Sequence, residues 1–80
     1  SEAMEIVAHG SKESSNVIGK KVKELDLPQG VSVSAIIRDG ASFIIADEMT
    51  VKDGDHIIIF LTDRTRVREI ERLFQPSPFF

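Results

Sequence analysis

The chain has 80 residues, 41% of them apolar and 29% charged, with no cysteine. That describes one soluble domain with a thin core and neither disulfide nor thiolate metal site to reinforce it. A net charge of −3, a pI near 5.2 and the lack of Trp and Tyr exclude a basic, base-stacking nucleic-acid surface. No apolar run approaches the ~20 residues that cross a bilayer, and no signal-peptide pattern opens the sequence.

Glu2 to His9 alternates, and Met4, Ile6 and Ala8 make the inward face of a first strand. A polar connector follows, in which Ser14 or Ser15 offers a helix N-cap. Ile18, Val22 and Leu25 then fall at i, i+4, i+7, the stripe of an amphipathic helix that must stop before Pro28. Val31 to Arg38 alternates again, with Val31, Val33, Ala35 and Ile37 set against Ser32 and Ser34. Asp39-Gly40 is a hairpin signal, which pairs this strand with Ala41 to Ala46. Thr50-Val51 is a stub of strand.

The stretch around which the rest is layered is Lys52 to Leu61. Its Asp53-Gly54-Asp55 turn launches the apolar run Ile57-Ile58-Ile59-Phe60-Leu61, which reads as a central strand buried on both faces. Thr62-Asp63 caps a last helix carrying Val67, Ile70 and Leu73/Phe74 on one side, and Pro76 and Pro78 end it before Phe79-Phe80. The order is β-α-β-β-β-α. The expected fold is therefore a small α+β domain, residues 1–80, with a mainly antiparallel sheet and two helices.

Catalytic chemistry is poorly provided for. There is no nucleophile elbow, no Cys, and no His beside a nucleophile with a third, orienting group. His9 and His56 lack short ligand spacing, and the position six after Gly54, where a calcium loop needs Glu, is Phe60. Asp47-Glu48 reads as a solvated turn. Arg64, Arg66, Arg68 and Arg72 are offset by Asp63, Glu69 and Glu71, which makes a solvated helix face of them. No glycine pattern encodes a phosphate cradle. The expectation is a non-enzymatic module with no catalytic, cofactor or metal residues.

The surplus of apolar strand residues is the informative anomaly. Two helices cover one sheet face, while Ile58 and Phe60 are apolar alongside Ile57, Ile59 and Leu61. Exposed apolar patches mark partner surfaces. A homodimer through the second face follows as an expectation, with Leu27, Val31, Ile37, Ile57 and Ile59 as its dimer or ligand face.

Gly19-Lys20, Leu25 before Pro28, Gly30, then Val33-x-Ala35-Ile36-Ile37-Arg38-Asp39-Gly40 and Asp53-Gly54-Asp55-x-Ile57-Ile58-Ile59-Phe60 resemble the C-terminal lobe of RCK domains, regulators of potassium conductance, the TrkA-C family. The resemblance runs over essentially the whole chain. It implies a cytoplasmic regulatory and dimerisation domain, peripheral to the inner face of the membrane, that controls a membrane potassium transporter subunit. NAD or adenine nucleotide would belong to a Rossmann lobe, and none to this stretch. Relatives that bind cyclic di-AMP group Arg, His and Asn after the first helix. Leu27-Pro28-Gln29-Gly30-Val31-Ser32 contains none of them, so such a ligand is not implied here. Rival readings are a β-grasp carrier, which the Pro78-Phe79-Phe80 ending disfavours, and an ACT-like sensor, which should end in a strand.

Overall fold

The computed structural model describes residues 2–76, so Ser1 and the expected Phe79-Phe80 ending lie outside the described residues. Strands β1 (Glu2–Val7), β2 (Val31–Arg38), β3 (Ala41–Phe43) and β4 (His56–Leu61) form one antiparallel sheet in the order β1-β4-β2-β3. Helix α1 (Val67–Phe74) follows. The α+β class and the antiparallel sheet are as the sequence implies, and β4 does lie inside the sheet.

β4 is nevertheless buried on one face only. Ile57 and Ile59 are 0% exposed, whereas Phe60 between Ile59 and Leu61 is 53% exposed. The cause is where the covering elements sit. Val17, Ile18, Val22 and Leu25 from the β1–β2 connection, Ala46 and Val51 from the β3–β4 connection, and Ile70 and Phe74 of α1 all join Ile57, Ile59 and Leu61 in a single core. One layer of cover protects one side of a sheet.

Pairing shows how β2 feeds that core. Val31 stands opposite Leu61 and Val33 opposite Ile59, but the next core-facing pair is Ile36 with Ile57. A bulge between Val33 and Ala35 takes up one extra residue and flips the phase of everything after it. The regular alternation expected for Val31, Val33, Ala35 and Ile37 is thus broken. Ile36 enters the core at 0% exposure, and Ala35 and Ile37 turn to the far face. A larger side chain is buried than the unbulged register would allow.

At the β2–β3 turn Asp39 and Gly40 both have positive φ, 51° and 79°, as a type I′ hairpin requires. β3 stops at Phe43, short of the expected Ala46. Beyond it the Lys23 N–H donates to the Asp47 carbonyl at 3.0 Å and the Met49 N–H to that of Ala46 at 2.9 Å. These bonds fold the chain back and leave Ile44 and Ile45 at 78% and 89% exposure.

The expected first helix is reduced to a 3-10 turn, Val22–Glu24. Ser15 Oγ accepts from the Val17 and Ile18 N–H groups at 3.0 Å each, as a cap would, but no helix starts there. Gly19 then leaves the helical region at φ 85°. The Gly19 and Val22 N–H groups donate to Val51 and Met49 carbonyls, both at 2.9 Å, and Val51 returns a bond to Lys20. Backbone groups committed to residues 49–51 cannot also bond within a helix. Residue Thr50 of the predicted strand stub forms a bridge with Lys21 in the same strip. Ile18, Val22 and Leu25 still bury their stripe.

The last helix forms as predicted. Asp63 accepts from the Thr65 N–H at 3.0 Å and its hydroxyl at 2.7 Å, which starts a 3-10 turn, Arg64–Arg66, that runs into α1. Those two donors hold the Asp63 carboxyl below its usual range.

Gly30 ties β2 to the end of β4. Its φ is 82°, its carbonyl accepts from the Thr62 N–H at 3.1 Å, and a Cβ there would lie 2.5 Å from Thr62 Oγ1. Gly30→Ala should therefore destabilise the fold by about 1–3 kcal/mol, read from a urea midpoint. Adding Thr62→Ala should return part of that loss, because the clash goes and the φ strain stays. No recovery in the double variant would show that the contact is not the cause.

Candidate functional site

Strand register arranges the uncovered sheet face into rows. Ala3, Phe60 and Ser32 lie abreast, then Glu5, Ile58 and Ala35, then Val7, His56 and Ile37 with Ser42 beyond. The face mixes apolar and small polar side chains. In its first row an exposed aromatic ring stands between two small residues. A groove of about 420 Å³ runs beside it, bordered also by Gly30, Thr62 and Glu2. Glu2 is held by Arg64, whose Nη2 donates to Glu2 Oε1 at 2.6 Å. Two rows on, the Nδ1 of His56 meets Glu5 Oε2. The two carboxylates bordering this face are therefore engaged within the chain.

A second arrangement closes the other end of the sheet. Arg38 at the end of β2 donates from Nε to Asp55 Oδ1 at 2.8 Å and from Nη2 to Asp55 Oδ2 at 2.7 Å. Nη2 also reaches the Thr50 carbonyl at 2.9 Å, and Asp55 accepts from the Lys52 N–H at 2.9 Å. This forked pair locks the turn before β4 to the end of β2. Burial alone would raise the Asp55 carboxyl, but the bonds from Arg38 and Lys52 outweigh it and hold the group below its ordinary value.

The residues expected to form one dimer or ligand face are not brought together. Ile57 and Ile59 are sealed in the chain's own core, and Leu27 and Val31 are half-buried against it. Of the five, Ile37 alone lies on the open face, put there by the bulge. Phe60, Ala3 and Ser32 are the residues missed. Their signal was available in the period-2 rule: once Ile57 and Ile59 point inward, Phe60 must point out. The Arg38–Asp55 pair was also missed, being 17 residues apart along the chain.

The other candidates are accounted for by local structure. His56 belongs to the open face, and His9 is exposed beyond β1. Among the described residues no group of three or more His, Asp or Glu is placed to hold a metal ion. Glu48 of the Asp47-Glu48 pair is drawn to Lys23 and Lys21, which lower its carboxyl. On the arginine-rich segment Arg64 pairs with Glu2 and Arg66 with Glu69. The site these residues offer is a surface for contact.

Comparison with known proteins bears on the family and the fold. Residues 12–75 match the TrkA-C domain family. The chain is 48% identical over 79 residues to the Trk system potassium uptake protein TrkA of Haemophilus influenzae, and 43% identical over 74 residues to that of Halomonas elongata. These alignments take in 99% and 92% of this chain but 17% and 16% of the relatives, so the chain spans a small part of their length. Among solved structures, one described as an RCK domain with cda superposes with a TM-score of 0.74 at 16% identity, covering 94% of this chain and 100% of the other. The RCK_C domain dimer of S. agalactiae BusR in complex with c-di-AMP gives a TM-score of 0.71 at 24% identity, covering 90% of this chain and 88% of that one. At those identities the likeness establishes the fold. The sequence matches establish the family, and with it a non-catalytic role: this chain belongs to the TrkA-C domain family.

Proposed function

We propose that this chain is the regulatory and dimerisation domain of a Trk-type potassium uptake protein, acting on a membrane potassium transporter subunit from the cytoplasmic side. The observation that carries this reading is the 48% identity to TrkA across nearly the whole chain. Among the described residues no helix is long and apolar enough to cross a membrane, which suits a domain that works at the membrane surface through a partner. Such a domain transmits a signal only if a ligand or subunit favours one arrangement of its copies over another. In this reading NAD or adenine nucleotide binding belongs to the remainder of the full-length protein.

A cyclic-dinucleotide sensor is the second reading, favoured by the ligands named for the superposable RCK structures. Against it, residues Leu27 to Ser32 present no Arg, His or Asn to a phosphate.

The test is made in cells whose potassium uptake depends on the full-length protein carrying this domain. Deleting the domain, with the rest of the protein still expressed, should change rubidium uptake or its response to regulators by about tenfold, the usual size of coupling between sites. Unchanged uptake and unchanged regulation would overturn the proposal. Isothermal calorimetry on the chain with cyclic di-AMP separates the two readings, heat of binding favouring the second.

A further inference from the structure

We propose that Asp39, at the tip of the β2–β3 hairpin, is a site of spontaneous backbone modification that converts to isoaspartate, while the equivalent Asp53-Gly54 pair is protected by the fold. The reaction needs these residues and water alone. The Gly40 backbone nitrogen attacks the side-chain carboxyl carbon of Asp39, and glycine has no Cβ to obstruct the approach. A C–N bond forms, a C–O bond breaks, and water leaves with the amide proton as a succinimide ring closes. Water then adds back. Where it opens the ring at the Asp39 main-chain carbonyl, the chain continues through the former side chain and isoaspartate results. The backbone is then one methylene longer in the turn that sets the β2–β3 register. It also bears a free α-carboxylate, the group that a protein-repair methyltransferase esterifies.

Both Asp-Gly pairs are exposed, so exposure does not separate them. Hydrogen bonding does. Asp53 Oδ1 accepts from the Gly10 N–H at 2.9 Å, and the Gly54 N–H donates to the Ala8 carbonyl at 2.8 Å. Electrophile and nucleophile are both held there. Among the described residues the Gly40 N–H and the Asp39 carboxylate form no such bonds, and the neighbouring Arg38 commits its guanidinium to Asp55 and the Thr50 carbonyl. Local opening favours the same site. β3 is an edge strand of three exposed residues, joined to β2 by three register pairs. The Asp53-Gly54 turn lies between Val51 and Asp55, each 1% exposed, and Arg38 clamps it. Segments with few buried contacts open most readily. Asp39 also sits at φ 51°, a conformation that costs a residue with a side chain, so opening relieves it.

The test ages the wild-type chain in neutral buffer at physiological temperature. Isoaspartate is counted by enzymatic methyl transfer from S-adenosylmethionine and located by peptide mapping. It should accumulate at Asp39 about tenfold or more faster than at Asp53, where two hydrogen bonds must break first. In concentrated urea, where neither pair is held, the two rates should converge. Equal rates in the folded chain, or a faster rate at Asp53, would overturn the proposal. So would a gap of the same size in urea, which would trace the difference to the flanking sequence instead of to the fold.

Discussion

Ile59→Asp should leave the chain unfolded, whereas Ile37→Asp should leave it folded. The two side chains lie on adjacent strands of the same sheet, and from hydropathy alone they are equivalent. Ile59 has no exposed surface and packs within the single core of β4, the two connections and α1. A carboxylate there has no partner, and burying an unpaired charge costs more than about 4 kcal/mol, in addition to the lost apolar packing. A domain of this length is stable by only about 4–12 kcal/mol at about 0.05–0.15 kcal/mol per residue. Ile37 pairs with His56 and Ser42 on the open face, where water can reach a carboxylate, so its replacement should cost about 1–2 kcal/mol. Far-ultraviolet circular dichroism and a urea titration on both variants decide the matter. A folded Ile59→Asp or an unfolded Ile37→Asp would reverse the assignment of the two faces.

That contrast shows what sequence patterning can and cannot deliver. Strands β1, β2 and β4, the Asp39-Gly40 hairpin, the Asp63 cap and the α1 stripe rest on local rules, namely period-2 alternation, turn chemistry and 3.6-residue spacing, and each appears where those rules place it, while β3 ends three residues early at Phe43. The first helix fails for a non-local reason. Its stripe is correct, but Gly19, Lys20 and Val22 bond to residues 49–51, some thirty positions away. The bulge in β2 is likewise invisible in Val31 to Arg38, because it answers to the register of β4. The open face suffered most from this. Without the bulge Ile37 points inward, and with Ile57 and Ile59 read as interface the exposed ring, Phe60, is counted in the apolar surplus but left off the expected face. The apolar surplus was legible; its side of the sheet was not.

Arg38→Ala should cost about 3 kcal/mol at neutral pH, and that cost should shrink on acidification. Removing one member of a buried pair strands the other's charge, at about 3–5 kcal/mol. The lower end applies because the Arg38 side chain keeps 23% of its surface exposed, against 2% for Asp55. The pH dependence follows from the same contacts. In the intact domain burial would raise the Asp55 carboxyl, but the Arg38 and Lys52 bonds win and hold it below the ordinary 3.8. The unfolded chain therefore binds that proton more readily. The stabilisation is whole above the ordinary value and is lost as pH falls through the folded one. In Arg38→Ala the lowering bonds from the guanidinium are gone and burial remains, so the Asp55 carboxyl moves upward and protonation relieves a stranded charge. The wild type and the variant should thus converge in stability as the pH drops from neutral toward about 4, in urea titrations at matched ionic strength. A gap independent of pH would mean that Arg38 acts through packing and its bond to the Thr50 carbonyl instead of through the Asp55 charge. Convergence would make the forked pair the clamp that sets the turn before β4, and with it the direction in which Phe60 is presented.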